Sequence, residues 1–235
     1  MFGILTRSKK LIEKLKWHSY QYKIYFNRNR IIEEYLNTHK VKKLQLGCWP
    51  FPFDSWLNSD LHAAGEVIPI DLTKHFPIKD NSFHYVFCEH TIEHFTFKQG
   101  EAMLKEIYRV LKPKGKVRLA TPDLKFLIDL YGNDKSLLQQ KYISWASEEF
   151  LREGGQATDT FIINNFVRAW GHQFIYDFKT LKFLLEKVGF INVKRFTPGQ
   201  SSDKHLRGLE SHGKSIGEEF NKLESFVVEA MKPAY

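Results

Sequence analysis

At 235 residues, with 43% hydrophobic and 15% aromatic content, the chain can bury a substantial core and reads as one globular unit rather than a disordered polymer. Its two cysteines, Cys48 and Cys88, are too few for a disulfide scaffold and fall in no paired metal spacing, so a reducing cytoplasm is the expected compartment. The net charge of +8 belongs to one end: residues 1–43 hold eleven Lys/Arg against three Glu, and the remainder is balanced.

The segment Met1–Lys10 breaks into charge before a signal-peptide core of roughly 7–15 apolar residues could form, and no run approaches the roughly 18 of a membrane span. The expectation is a protein neither exported by that route nor membrane-spanning. On a helical wheel Ile4, Leu5, Leu11, Ile12, Leu15 and Tyr22 share one side, with Arg7, Lys9, Lys10, Lys14 and Lys16 around the rest. Residues 1–42 are therefore expected to form a basic helical arm, with a second helix around Arg30–Asn37. Through residues 1–26 this arm is expected to touch an anionic membrane at its inner face, or simply to dock on the body; nucleic acid, suggested by the arm's charge alone, is not the expected partner.

From residue 43 to residue 235 short apolar runs alternate with helical stretches. Strands are predicted at Lys43–Leu46, Trp56–Ser59, Val67–Ile70, Phe83–Cys88, Lys116–Thr121, Val193–Phe196 and Ser225–Met231. Helices are predicted at about Thr91–Leu111 and at Phe178–Val188, the latter stopped by Gly189. The fold class is α/β: a Rossmann-like, doubly wound, seven-stranded sheet, mostly parallel with an antiparallel C-terminal strand. Insertions at about 124–177, which contains a Gly154-Gly155 break, and at 197–222 exceed ordinary loop length and are expected to cover a cleft.

Asp60, Asp71 and the Glu89-His90 pair each stand where a predicted strand ends, and open α/β sheets bind ligands outside those carboxyl ends, where the winding reverses. In order, the chain reads Leu44-Gln-Leu-Gly-Cys48, Trp56-Leu-Asn-Ser-Asp60-Leu61, Ile70-Asp71-Leu72, Phe76-Pro-Ile-Lys-Asp-Asn-Ser-Phe83, Glu89-His-Thr-Ile-Glu-His94 and Glu106-Ile-Tyr-Arg-Val-Leu-Lys-Pro-Lys-Gly115. This series resembles the class I S-adenosylmethionine-dependent methyltransferases, and most closely the methyltransferase-domain proteins whose genes often accompany those for cell-surface polysaccharides. The resemblance covers residues 42–123 and extends weakly to Gly171-His-Gln-Phe-Ile-Tyr-Asp177 and the C-terminal strands.

The resemblance implies S-adenosylmethionine as cofactor, held around Leu46, Gly47, Cys48, Asp60, Leu61, Asp71, Leu72, Glu89 and His90. Asp60 is placed like the acid that accepts the ribose hydroxyls, and Asp71 like the acceptor of the adenine amino group. The bland readings are a turn-capping Asp60 and a helix-capping Asp71. The implied acceptor is a small molecule or glycan, methylated on an oxygen, less often a nitrogen, of a saccharide or glycolipid-linked group. A sugar hydroxyl is a poor nucleophile while protonated, so His90, which titrates near neutrality, is the expected base. A structural histidine at a strand-to-helix turn is the plain alternative. His172 is the second expected catalytic histidine, and Asp123, His172 and Tyr176 are the expected acceptor contacts.

Two features argue for rivals. The run Cys48-Trp49-Pro50-Phe51-Pro52-Phe53 puts two prolines and three aromatics where the family has a glycine-rich loop, so no helix can follow the first strand, and a non-catalytic scaffold or binding module becomes the second reading. His90-Thr-Ile-Glu93-His94 spells the H-x-x-E-H of inverted zinc peptidases, which makes a zinc hydrolase the third. That motif needs to lie inside a helix and to find a third ligand, and the sequence offers neither, so no metal is expected.

Overall fold

The computed structural model describes Ser19 and residues 22–48, 50–62, 65–151 and 157–235. The expected amphipathic helix over the first residues, Trp49, and the Gly154-Gly155 break fall outside them. Among the described residues no helix is long and apolar enough to cross a membrane.

A helix over residues 22–38 (α1) buries Ile24, Ile32 and Tyr35 on one face, and Ile32 and Tyr35 join the main core. The Tyr35 hydroxyl accepts from Lys43 N (2.9 Å), and Arg28 Nη1 donates to Pro69 O (3.1 Å). The described end of the arm is therefore docked on the sheet.

The strands are β1 (Lys43–Leu46), β2 (Leu57–Asp60), β3 (Ile68–Pro69), β4 (Phe83–Glu89), β5 (Leu111–Pro122), β6 (Ile191–Phe196) and β7 (Ser225–Met231). They form one sheet in the order β3-β2-β1-β4-β5-β7-β6. The chain winds outward from β1 to β3, returns to β4 beside β1, and continues the other way, so the winding reverses between β1 and β4. The first five strands are parallel, and β7 inserts antiparallel between β5 and β6. Pro69 is tolerated because β3 is an edge strand.

Helices α2 (Phe97–Val110) and α6 (Phe178–Val188) pack on the sheet through Met103, Leu104 and Ile107 and through Leu181, Leu184 and Leu185. The helix predicted from Thr91 starts later because Thr96 and Gln99 close a reciprocal capping box; residues Ile92–His94 form a single 3-10 turn before it. Gly189 ends α6 in the left-handed region, at φ 114°.

The insertion at 124–177 is helical: α3 (Leu124–Tyr131), α4 (Leu137–Phe150) and α5 (Asp159–Arg168) share a second core around Phe126, Leu130, Tyr142, Ile162 and Phe166. The insertion at 197–222 carries α7 (Gly213–Ile216) and most of α8 (Glu218–Glu224). It is pinned by Arg118, fully buried on β5, whose guanidinium binds Glu210 through both oxygens (2.6 and 2.8 Å), Glu229 (2.6 Å) and the Gln200 carbonyl (2.9 Å).

Candidate active site

Two groups of residues meet at the carboxyl ends of the central strands. The first surrounds β1, β2 and β3. Gly47 follows β1 at φ 63°, and a side chain there would collide with Thr91 at the end of β4, so the turn requires glycine. Among the described residues no helix separates β1 from β2. The Pro50–Phe53 loop is held instead by Gln45, which bonds Phe51 O and Phe53 N, and by Asn58, which exchanges bonds with Phe53. Phe53 then packs on Trp56 and Phe87, so this ring turns into a small aromatic core.

Asp60 ends β2 part-exposed and accepts the Leu61 amide on Oδ1 (2.7 Å). Leu61 is 60% exposed, whereas Leu46 and Leu72 are in the main core and offer a ligand only their backbone. A carboxylate beside an open apolar side chain fits the ribose and adenine half of S-adenosylmethionine. Asp71 accepts from Thr73 N (3.0 Å) and Thr73 Oγ1 (2.6 Å) and pairs with Lys74; it closes a turn, and among the described residues no helix follows for it to cap. The Thr73 hydroxyl holds its carboxyl below the usual range. Cys48 and Cys88 are both buried at neighbouring strand ends, and burial pushes each thiol up to about 12.

Glu89 ends β4, but its carboxylate is taken by the second insertion: Ser211 N (2.9 Å), Ser211 Oγ (3.0 Å) and His212 N (3.1 Å) all donate to it. It therefore clamps the 197–222 segment across the sheet edge.

The second group lines a chamber of about 460 Å³ at the ends of β4 and β5. His90, Glu93, His94, His172, His212 and Glu224 supply its polar surface; Tyr142, Trp145, Phe166 and Trp170 supply an aromatic wall. His90 adopts φ 44°, uncommon for a residue with a side chain, and is fixed by its amide to Ala120 O (2.9 Å). Its ring packs at a tilt against His212 with centroids 3.9 Å apart; Nε2 meets Ser225 Oγ at 3.0 Å and Nδ1 lies 3.4 Å from Glu93 Oε1. Burial pushes the His90 imidazolium down, but the Glu93 carboxylate beside it more than offsets this and raises it. Trp170 and Gly171, both at positive φ, turn the chain so that His172 enters the chamber. Its Nδ1 lies 2.7 Å from Phe166 O, and burial lowers its pKa.

Two expected acceptor contacts sit elsewhere. Tyr176 is fully buried in the main core between Phe97 and Phe174, and lines no part of the chamber. The apolar run Phe174-Ile175-Tyr176 favours the core over the cavity. Asp123 is 4% exposed, caps α3 by accepting Lys125 N (3.0 Å), and pairs with Arg195 (2.7 Å). Its position after β5 is as predicted, but its carboxylate is engaged by the protein. His212, Glu224 and the aromatic wall were not foreseen; no motif marks them, because only the fold brings α4, α5 and α8 over the ends of β4 and β5. The H-x-x-E-H stretch is no α-helix: His90 stands in a bend just after β4, and Glu93 and His94 lie on the 3-10 turn.

Residues 54–119 match the family described as "Methyltransferase domain". A comparison with curated proteins gives no match. Among solved structures, a SAM-dependent methyltransferase from Archaeoglobus fulgidus is 17% identical, with 95% of this chain and 99% of that one covered, at a TM-score of 0.48. The Haemonchus contortus phosphoethanolamine N-methyltransferase 2 in complex with S-adenosyl-L-methionine is 16% identical at a TM-score of 0.42, over 88% of this chain and 52% of its own. The chain thus spans about half the length of that enzyme. With identities this low and TM-scores below 0.5, neither relative bears on this chain's acceptor. The matched segment lies within the sheet from just before β2 into β5, and the strand order, with β7 antiparallel between β5 and β6, is that of a Rossmann-like fold.

Proposed function

We propose that the chain methylates an oxygen of a saccharide or glycolipid-linked acceptor, at the expense of S-adenosylmethionine, in a cytoplasmic step of polysaccharide biosynthesis. The observation that carries this reading is the chamber, in which a broad aromatic wall faces a cluster of histidines beside the matched methyltransferase segment. Flat apolar surface suits the C–H face of a sugar ring, and a few convergent polar groups suit its hydroxyls.

When bound, the cofactor supplies an electrophilic methyl group and leaves as S-adenosylhomocysteine. Asp60 and Leu61 hold the nucleoside, with the backbone of Leu46, Gly47, Cys48 and Leu72 and the turn at Asp71 around it. Positioning provides most of the rate, and His90 receives the proton the acceptor hydroxyl loses, with His172 facing the acceptor across the chamber. The full chain, incubated with methyl-labelled cofactor and a panel of oligosaccharides and amines, is expected to give label in sugar O-methyl ethers after hydrolysis. Label confined to the amines would overturn the acceptor assignment. The engagement of Glu89 by Ser211 and His212 favours a second reading, a non-catalytic binding module. That reading gains if glycans bind and no label transfers.

The arm belongs to the same proposal. Residues 1–26 hold six Lys/Arg against one Glu, and each basic residue near an anionic bilayer contributes roughly 1 kcal/mol at low screening. The chain is expected to sediment with anionic vesicles, less so as salt rises, and not after deletion of residues 1–26. Equal sedimentation with neutral vesicles would contradict it.

A further inference from the structure

The structure assigns a divalent transition-metal site to Glu93, His94 and His172 at one wall of the chamber. One ligand atom from each of the three side chains lies within 4.8 Å of the others. A tetrahedral ion with bonds of about 2.1 Å holds its ligands about 3.4 Å apart, so a modest closing of the two rings completes the site.

Three independent observations point to a ligand here. Glu93 is fully buried, yet its Oε1 has no hydrogen bond; His90 Nδ1 lies 3.4 Å away without making one. A buried carboxylate oxygen whose one near neighbour is a long ionic contact, with no hydrogen bond, is costly, and a cation fits it. Glu93 Oε2 is fixed by Thr121 Oγ1 (3.0 Å), so Oε1, which makes no hydrogen bond, is the one left for an ion. His172 Nδ1 faces the Phe166 carbonyl at 2.7 Å, a contact that places the proton on Nδ1 and leaves the Nε2 lone pair free. Orientation of a histidine through its second nitrogen is the usual support of a metal-bound imidazole. The His94 ring makes no hydrogen bond among the described residues, while its backbone is held by Thr91 and Gln173.

The other cluster in the chamber, His90, His212 and Glu224, lacks these marks. Both Glu224 oxygens are already bound, one by His212 Nε2 and one by the Tyr142 hydroxyl, and the two histidine rings pack against each other at a tilt. Two imidazoles and one carboxylate are the donor set of open catalytic zinc sites and suit neighbouring first-row ions as well. All three ligands line the chamber, so the remaining coordination positions face the space where an acceptor oxygen would bind. The sequence argued against metal for want of a third ligand; the turn at Trp170-Gly171 brings one from 78 positions further along the chain than His94.

The full chain, stripped with chelator and dialysed against buffered zinc, is expected to retain one ion per chain by elemental analysis. Cobalt(II) in its place should give the strong visible absorption of a four-coordinate site. Glu93→Gln, His94→Ala and His172→Ala should each weaken uptake by about ten-fold or more, while His212→Ala should leave it unchanged. Thermal unfolding of the ion-free variants separates lost binding from lost folding, and His94→Ala removes a ring that makes no hydrogen bond. Absence of saturable uptake by the unaltered chain overturns the assignment, as does uptake that survives His172→Ala and is lost in His212→Ala.

Discussion

Replacement of Arg118 by leucine is expected to destabilise the fold by about 3–5 kcal/mol, the range for removing one partner of a buried ionic network. The guanidinium has no exposed surface, and its two partners, Glu210 and Glu229, are 2% and 9% exposed at their side chains. Loss of Arg118 strands two carboxylates in the interior and frees the Gln200 carbonyl. It also detaches the segment that presents Ser211 and His212 to Glu89, so proteolysis within residues 197–212 should accelerate. Urea unfolding measures the first effect. Removing the charges together, in Arg118→Met with Glu210→Gln and Glu229→Gln, should recover much of the loss. A cost below about 1 kcal/mol, typical of a surface pair, would show that Arg118 does not anchor the segment.

Asp60→Ala is expected to weaken S-adenosylhomocysteine binding by about 1.5–3 kcal/mol, or roughly 10- to 150-fold, the value of hydrogen bonds to a charged acceptor. Asp60 stands at the end of β2, next to the switch in winding, with the exposed Leu61 beside it. Asp60→Asn should preserve the turn made with the Leu61 amide and lose only part of the affinity. The fold should be little affected, which circular dichroism checks. Unchanged affinity in Asp60→Ala would move the ribose contact elsewhere.

Much of the fold was legible because it is encoded locally. The seven strands, the antiparallel closure by β7 and the span of α6 follow from apolar runs and from Gly189. Boundaries slipped where tertiary pairing overrides pattern: β5 begins at Leu111 rather than Lys116, because Leu111 pairs with Phe83 through an irregular register around Lys114. The clustering of polar residues at strand ends was also legible, since it depends only on where the strands stop.

Side-chain allegiance was not. Glu89 and Asp123 occupy the predicted positions, but their carboxylates bind Ser211 and Arg195, more than seventy residues away. Nothing near Arg118 in sequence signals its complete burial, which depends on two glutamates from later segments. The H-x-x-E-H stretch suggested two histidines acting together; a strand end and a 3-10 turn divide them between two clusters.

Calorimetric titration of the full chain with S-adenosylhomocysteine tests the assignment to cofactor-dependent methyl transfer most directly. Saturable binding of one ligand per chain, weakened in Asp60→Ala, is the predicted result. No binding heat at either of two temperatures, with the oligosaccharide panel present, would contradict it.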